Sequence, residues 1–420
     1  MKKLLWLCCI WLLLGACTQK ETKGEVHMNE QFLGKWEGTI ETPNGPLPMM
    51  VELQKDSGTL SVPAQGLANF PFQRVDYIDD QVNISIQING AAIAIKGKLK
   101  NDQIEATFQQ NGGIFPLVLT AYQEQPITYE TVRIPVQKGD LTVALHKAST
   151  APSPVALIIA GSGPTDKDGN SALAGKNNSL KMLAEGLAEK GIATVRYDKR
   201  GLGDNQALLT KEEDSTFDQY VDDAVQILQT LLADQAYTSV HIIGHSEGSL
   251  IGLLAAQKTD AASFISIAGA GRPLDEVLME QLQGQLAPNL VNEATDILAT
   301  LKQGEQVKTI SPELQAIFRP SVQPFLISLL KYHPAAELAK VKSHVLLIQG
   351  TNDLQVKEAD AAALKEGKQE AQLLYMEGMN HVLKAAPTDR AGNLATYADP
   401  SRPLHEELLP AVQQFILNGK

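Results

Sequence analysis

The sequence predicts two folded parts: a small all-β, barrel-like domain, then a larger α/β domain whose mostly parallel sheet is flanked by helices. Three observations carry this. Short alternating runs separated by turns fill the first third of the chain. Continuous apolar runs alternating with amphipathic segments fill the rest, the pattern of a sheet covered on both faces. One apolar run ends in a serine set between two glycines, in "GHSEG". At 420 residues the chain is long enough for two domains. Its formal net charge of -12, with no basic cluster, excludes nucleic acid as a natural partner.

The first segment reads as a secretion signal. Lys2 and Lys3 precede an apolar run from Leu4 to Leu14, too short to span a bilayer as a stable helix. The run ends Leu14-Gly15-Ala16-Cys17, which resembles the bacterial lipobox. That resemblance implies acylation of Cys17 and a lipid anchor at a membrane of the cell envelope. An ordinary signal peptide cut near Ala16 is the plainer alternative. The three cysteines, Cys8, Cys9 and Cys17, all lie at or before the expected cut. The mature chain then has no disulfide and no thiolate nucleophile or metal site. It loses two of 36 basic side chains and none of 48 acidic ones. The expected organisation is a signal peptide at 1–16, a polar tether at 17–31, an all-β domain at 32–124 and an α/β domain at 125–420.

In the all-β part, "LPMMVELQ", "QVNISIQI", "AAIAIKGKLK", "QIEATFQQ" and "FPLVLTAY" read as strands. Asn44-Gly45, Ser57-Gly58 and Asn89-Gly90 supply turns. Trp36, Phe70 and Phe72 are expected in the core, because so small a domain needs large side chains to bury. A boundary falls near Gln123–Pro126. Beyond it "ETVRIPV" and "LTVALHKA" form a hairpin across Lys138-Gly139-Asp140. The strands "VALIIAG", "IATVRYD", "VHIIGH", "FISIAG", "HVLLIQG" and "AQLLYME" follow, with helices between them around 180–190, 216–233, 357–366 and 404–418. A helical stretch over about 272–340 interrupts the alternation and reads as a lid inserted over the strand ends.

Gly244-His245-Ser246-Glu247-Gly248 lies between an expected buried strand and an expected helix. A serine there sits on a tight turn with its hydroxyl at the sheet's C-terminal edge. A helix N-cap serine is the bland reading of the same residue. A serine hydroxyl becomes nucleophilic only when a base takes its proton and a carboxylate orients that base. The pentapeptide resembles the nucleophile turn of the α/β-hydrolases, and that resemblance implies that the acid and then the histidine follow the serine, each after a late strand. Four histidines follow Ser246: His333, His344, His381 and His405. His344 lies at a strand start, His333 in the insertion, and His405 opens the last helix. His381 follows a strand and precedes a loop, where a base belongs. Asp353 sits three residues after Gly350 at the end of the preceding strand. Asp360, within a helix, and Glu377, closing the next strand, are weaker candidates, and Asp353 itself suits a helix cap. The oxyanion donors are expected to be the backbone N–H groups of Glu247 and of Ser162, in the glycine-containing loop "AGSGPTDKDGN". That loop lacks the G-x-G-x-x-G phosphate pattern, and Asp166 and Asp168 would repel a phosphate. No H-E-x-x-H occurs, so no metal is called for.

Taken together, "GSGPTDKDGN", "RYDKRGLGDN", "GHSEGSL", "QGTNDLQV" and "MNHVLK" resemble the serine aminopeptidase-type branch of the α/β-hydrolases, over roughly Thr128 to the C-terminus. The resemblance implies a Ser246–Asp353–His381 triad, no cofactor, and either esterase or peptidase chemistry. It gives Asp198 and Arg200 a structural ion-pair role after the fourth strand. Ala160 stands where many such proteins have histidine. The front segments "GKWEGTIE", "SVPAQGLANFP" and "QNGGIFPLVL" resemble the lipocalin-like domain found ahead of such hydrolases. The expectation is a lipid-anchored serine hydrolase acting on a small acyl ester. A peptidase or amidase with the same triad, and a non-catalytic envelope-binding protein, are the alternatives.

Overall fold

The computed structural model describes residues 29–42, 45–62, 67–88, 90–123, 128–171, 175–283 and 286–418. Cys17, the signal segment, most of the tether, the turn residues Asn44 and Asn89, and most of the expected domain boundary lie outside these residues. The chain divides into two compact units, one from the described residues up to Gln123 and one from those beyond.

The first unit is an antiparallel sheet of nine strands: β1 (Gly34–Thr42), β2 (Gly45–Leu53), β3 (Gly58–Val62), β4 (Leu67–Pro71), β5 (Arg74–Ile78), β6 (Gln81–Ile88), β7 (Ala91–Lys100), β8 (Gln103–Gln110) and β9 (Gly113–Ala121). Their order is β4-β3-β2-β1-β9-β8-β7-β6-β5, so β4 and β5 are the two edges. Yet only Phe72 and Gln73 join those edge strands along the chain. A sheet this wide can have its edges tied by two residues only if it curls, which makes it a half-barrel. Tyr77 on β5 helps hold the curl, its hydroxyl donating to the Gln54 carbonyl at 2.7 Å. The strands alternate cleanly, β6 burying Val82, Ile84 and Ile86 on one face. Trp36 is buried in the same core, and its indole N–H donates to the Phe32 carbonyl at 2.8 Å. Phe70 and Phe72 pack against that core half-buried.

The second unit carries an eight-stranded sheet in the order β10-β11-β13-β12-β14-β15-β16-β17. Strands β10 (Glu130–Val136) and β11 (Gly139–His146) form the hairpin, in which β11 runs antiparallel both to β10 and to its other neighbour, β13. Strands β12 (Ser153–Ile159), β13 (Ala193–Tyr197), β14 (Tyr237–His245), β15 (Ser263–Ile267), β16 (His344–Gly350) and β17 (Gln372–Met376) run parallel. Successive side chains point to opposite faces, so each fully apolar strand feeds two cores. On one face Val155, Leu157 and Ile159 pack with helices α2 (Phe217–Ala233) and α3 (Glu247–Gln257). On the other, Ala156 and Ile158 pack with α1 (Ser179–Glu189) and the C-terminal helix α11 (Leu408–Asn418).

Between β15 and β16 come α4 (Leu274–Gln283), α5 (Pro288–Lys302), the short α6 (Gln315–Phe318) and α7 (Gln323–Leu329), and α8 (Pro334–Leu338). Of these, α4 to α7 enclose their own core, built around Ile297, Leu298, Leu301, Leu314 and Phe318, whereas Leu338 of α8 packs in the core of the sheet. Helices α9 (Glu358–Gly367) and α10 (Arg390–Ala395) follow β16 and β17.

Asp198 and Arg200, at the end of β13, each take part in an ion pair, but with different partners. Asp198 accepts from the Lys167 ammonium at 3.0 Å, whereas Arg200 forks onto Asp223 of α2 at 2.5 and 2.8 Å. Both members of the Arg200–Asp223 pair are 2% exposed. Removing one charge from such a pair strands the other in a dry interior. Asp223→Ala is therefore expected to cost about 3–5 kcal/mol. Its neighbour Asp222 makes only an exposed contact with Lys258, so Asp222→Ala should change stability by less than about 0.5 kcal/mol. Chemical denaturation of the two variants checks this, and equal losses would contradict it.

Candidate active site

The C-terminal ends of β12, β14, β16 and β17 carry the residues singled out in the sequence. Ser246 forms the turn from β14 into α3, with φ 55° and ψ −121°. That region is sparsely populated for a residue with a side chain and costs roughly 1–3 kcal/mol. The turn is held by the Ser246 N–H, which donates to the Ile267 carbonyl at the end of β15 at 3.0 Å. The flanking glycines are sterically required. A Cβ on Gly244 would lie 2.3 Å from the Gly248 carbonyl oxygen, and one on Gly248 would lie 2.2 Å from the Ile159 carbonyl oxygen. Nothing larger than hydrogen fits where α3 abuts the ends of β12 and β14.

Asp353 follows β16 and is 5% exposed. Its Oδ1 accepts from the N–H groups of Gln355 at 2.7 Å and Val356 at 3.0 Å. Its Oδ2 receives the imidazole Nδ1 of His381 at 2.8 Å and, more loosely, the Gln349 amide at 3.4 Å. Burial pushes the carboxyl pKa up. The neighbouring imidazole and the two N–H groups outweigh burial and hold it below its ordinary value. A carboxylate can only accept, so His381 carries a proton on Nδ1.

His381 is 5% exposed, and its loop is braced on several sides. The ring of His245, the residue before Ser246, lies 4.9 Å from the His381 ring, centroid to centroid. His245 Nε2 is 2.8 Å from the His381 carbonyl oxygen. Because a carbonyl only accepts, His245 must be protonated there. The adjacent Asn380 amide donates to Thr396 at 2.7 Å and Asn393 at 3.1 Å. Lys384, buried in the same loop, donates to the carbonyls of Asp399 and Arg402.

The loop after β12 brings Gly161 against the serine, and a Cβ built on Gly161 would lie 3.1 Å from that of Ser246. Ser162 comes next, exposed, its carbonyl accepting from the Thr165 hydroxyl at 2.8 Å. Glu247 opens α3, where the first N–H groups have no partner within the helix. The Glu247 carboxylate accepts from the Lys199 ammonium at 3.1 Å. The other histidines lie elsewhere, His344 at the start of β16, His333 at the cap of α8 and His405 just before α11. Asp360 is taken up by Arg272, at 2.9 Å. Among the described residues no group of three His, Cys, Asp or Glu side chains is placed to hold a metal ion.

A family model described as serine aminopeptidase, S33, matches residues 173–385, just over half of the chain. The chain belongs to this family. Within it, the matched region holds the turn at Ser246 and the Asp353–His381 pair. Among curated proteins the chain is similar to Esterase EstD of Thermotoga maritima, at 30% identity over 267 residues. That match covers 61% of this chain and 61% of EstD. Among solved structures it is similar to Est1E from Butyrivibrio proteoclasticus, with 18% identity and a TM-score of 0.44 over 69% of this chain and 98% of that one. It is also similar to proline iminopeptidase from Mycobacterium smegmatis, with 16% identity and a TM-score of 0.45 over 69% of this chain and 98% of that one.

Two residues that contact this site did not stand out in the sequence. His245 was visible only as the variable position of the glycine-serine-glycine pattern, and Lys199 only as one charge in a polar turn. Burial holds the His245 pKa down at about 3, from an ordinary 6.5. As pH falls below 6.5 the unfolded chain takes up a proton that the folded histidine refuses, so stability is lost on acidification. Asp353 adds a loss further down, once the pH reaches the carboxylate range. His245→Gln keeps an N–H donor and removes the titration. It should reduce the stability lost between pH 6.5 and about 4.5 by about 2 kcal/mol. Urea unfolding at the two pH values reads this difference, and an unchanged loss would contradict it.

Proposed function

We propose that this protein is a serine hydrolase that cleaves carboxylic esters of modest size through an acyl-enzyme on Ser246. The observation that carries the reading is the buried Asp353–His381 hydrogen bond, joined through His245 to the turn that bears Ser246. Ser246 Oγ attacks the acyl carbonyl while His381 Nε2 takes its proton. Asp353 holds the Nδ1 proton in place and stabilises the imidazolium. The N–H groups of Ser162 and Glu247 receive the tetrahedral oxyanion. His381 then gives its proton to the departing alkoxide, and water repeats the sequence to release the acid. No cofactor enters the cycle. The helices over 272–340 act as the lid. Residues 32–124 form a lipocalin-like domain and residues 125–420 the catalytic one. The signal peptide is removed at Cys17, which anchors the protein by lipid to a bacterial envelope membrane.

An aminopeptidase would need a carboxylate beside Ser246 to hold the substrate ammonium. Glu247 is the carboxylate next to it in sequence, and it is committed to Lys199, its side chain 11% exposed. This favours an ester over a peptide with a free amine, as does the similarity to Esterase EstD. The apolar run at 325–330 of the lid offers an acyl chain little surface. Leu326, Leu329 and Leu330 are already buried.

Ser246→Ala should abolish ester hydrolysis and labelling by a fluorophosphonate while leaving the melting temperature within a few degrees of wild type. Undiminished labelling would refute the nucleophile. On the unmodified protein, kcat/KM for p-nitrophenyl esters should exceed that for aminoacyl p-nitroanilides at least ~100-fold, equivalent to about 2.7 kcal/mol of transition-state discrimination. An anilide rate equal to the ester rate would favour the peptidase. Cys17→Ser, expressed with its signal, should lose the acyl mass and leave the membrane fraction. An unacylated wild-type protein would end the anchor reading.

A further inference from the structure

Lys199 lies in the turn after β13, outside the residues assigned above, yet its ammonium is buried against two of the site's parts. It is 2% exposed. Its Nζ donates to the Gly161 carbonyl and to Glu247 Oε1, the latter at 3.1 Å, and lies 5.5 Å from the centre of the Tyr220 ring. An ammonium has three protons, and in this cage a carbonyl, a carboxylate and an aromatic face surround them.

The Gly161 contact has a directional consequence. The Gly161 C=O and the Ser162 N–H belong to one planar trans peptide, so they point in opposite directions. Whatever holds the carbonyl also fixes the aim of the N–H. The other proposed donor, the Glu247 N–H, belongs to the residue whose side chain is the second partner of the same ammonium. Gly161 lies on the loop after β12 and Glu247 on the first turn of α3, with no covalent link shorter than 86 residues between them.

We propose that Lys199 is a positioning residue that sets the oxyanion hole: it draws the Gly161 carbonyl away from Ser246, turns the Ser162 N–H toward the reacting carbonyl, and ties that loop to the Glu247 turn. This rests on Ser246 being the nucleophile. Lys199 touches no reacting atom and transfers no proton. Its contribution appears only when negative charge develops on the substrate oxygen, so it acts on kcat and not on ground-state binding.

The test uses Lys199→Met and the double variant Lys199→Met/Glu247→Gln. Met keeps most of the volume, and the double change leaves no unpaired charge behind, so it should fold even if the single variant is weakened. With p-nitrophenyl butyrate, kcat should fall ~10–100-fold in both, somewhat less than complete loss of one oxyanion donor, with KM changed less than about 3-fold. Affinity for an alkyl trifluoromethyl ketone, which forms a tetrahedral oxyanion on the serine, should fall by a similar factor. The melting temperature of the double variant should return toward wild type while its kcat stays low. A kcat in the double variant within about 2-fold of wild type would overturn the proposal and leave Lys199 only a counter-charge for Glu247. So would a loss that lies wholly in KM. Fluorophosphonate labelling that still maps to Ser246 in the double variant separates this failure from failure of the nucleophile assignment, in which the label would map elsewhere.

Discussion

The close approach of α3 to the end of β12 is the constraint on which the rest of the site depends. Gly248 lies where any side chain would collide with the Ile159 carbonyl, and Gly244 lies where one would collide with the first turn of α3. Only this approach lets the chain reverse direction within a single residue and leave Ser246 at φ 55°. The sheet's own hydrogen bonding sustains the turn, since Ser246 N–H is held by the last carbonyl of β15. The strain is therefore borne by β12, β14 and β15 together. These central strands are buried along nearly their whole length, and the energy of two packed faces is large against ~1–3 kcal/mol at one residue.

From that fixed point the other groups are reached through backbone atoms more than through side chains. His245 grips the carbonyl of His381, Lys199 grips the carbonyl of Gly161, and Lys384 grips two carbonyls beyond the His381 loop. Each clamp is a buried donor whose acceptor is main chain. This suits a site whose loops come from four strands, because a carbonyl clamp sets the orientation of a peptide while leaving its side chain free. Asp353 shows the converse. Its carboxylate is held by two backbone N–H groups of its own turn and is thereby fixed for His381.

Much of this was legible in the sequence, for identifiable reasons. Ser246, Asp353 and His381 were singled out because chain order and strand ends leave few candidates, and the parallel strands were found because runs such as "VALIIAG" are buried on both faces. In the first unit β1, β3, β4 and β5 were not read as strands. The last three are five residues each, and in all four glycine, proline or charge breaks the alternation. The pairing of Arg200 with Asp223 and of Lys199 with Glu247 was not legible either. The partners stand 23 and 48 residues apart, and only the fold makes them neighbours. A charged turn reads as solvated surface, and nothing local indicates that two of its cations are 2% exposed. Within 272–340, likewise, the sequence cannot separate apolar surface left exposed from surface consumed by the insertion's own core.

The central claim is that turnover passes through an ester on Ser246. Mixing the protein with excess p-nitrophenyl acetate for milliseconds, quenching in acid and mapping the peptides by mass spectrometry tests it most directly. The account predicts a burst of about one nitrophenolate per chain and a single acetyl group, carried by Ser246. Acetyl found on another residue, or steady hydrolysis with no covalent acetyl at any quench time, would contradict it.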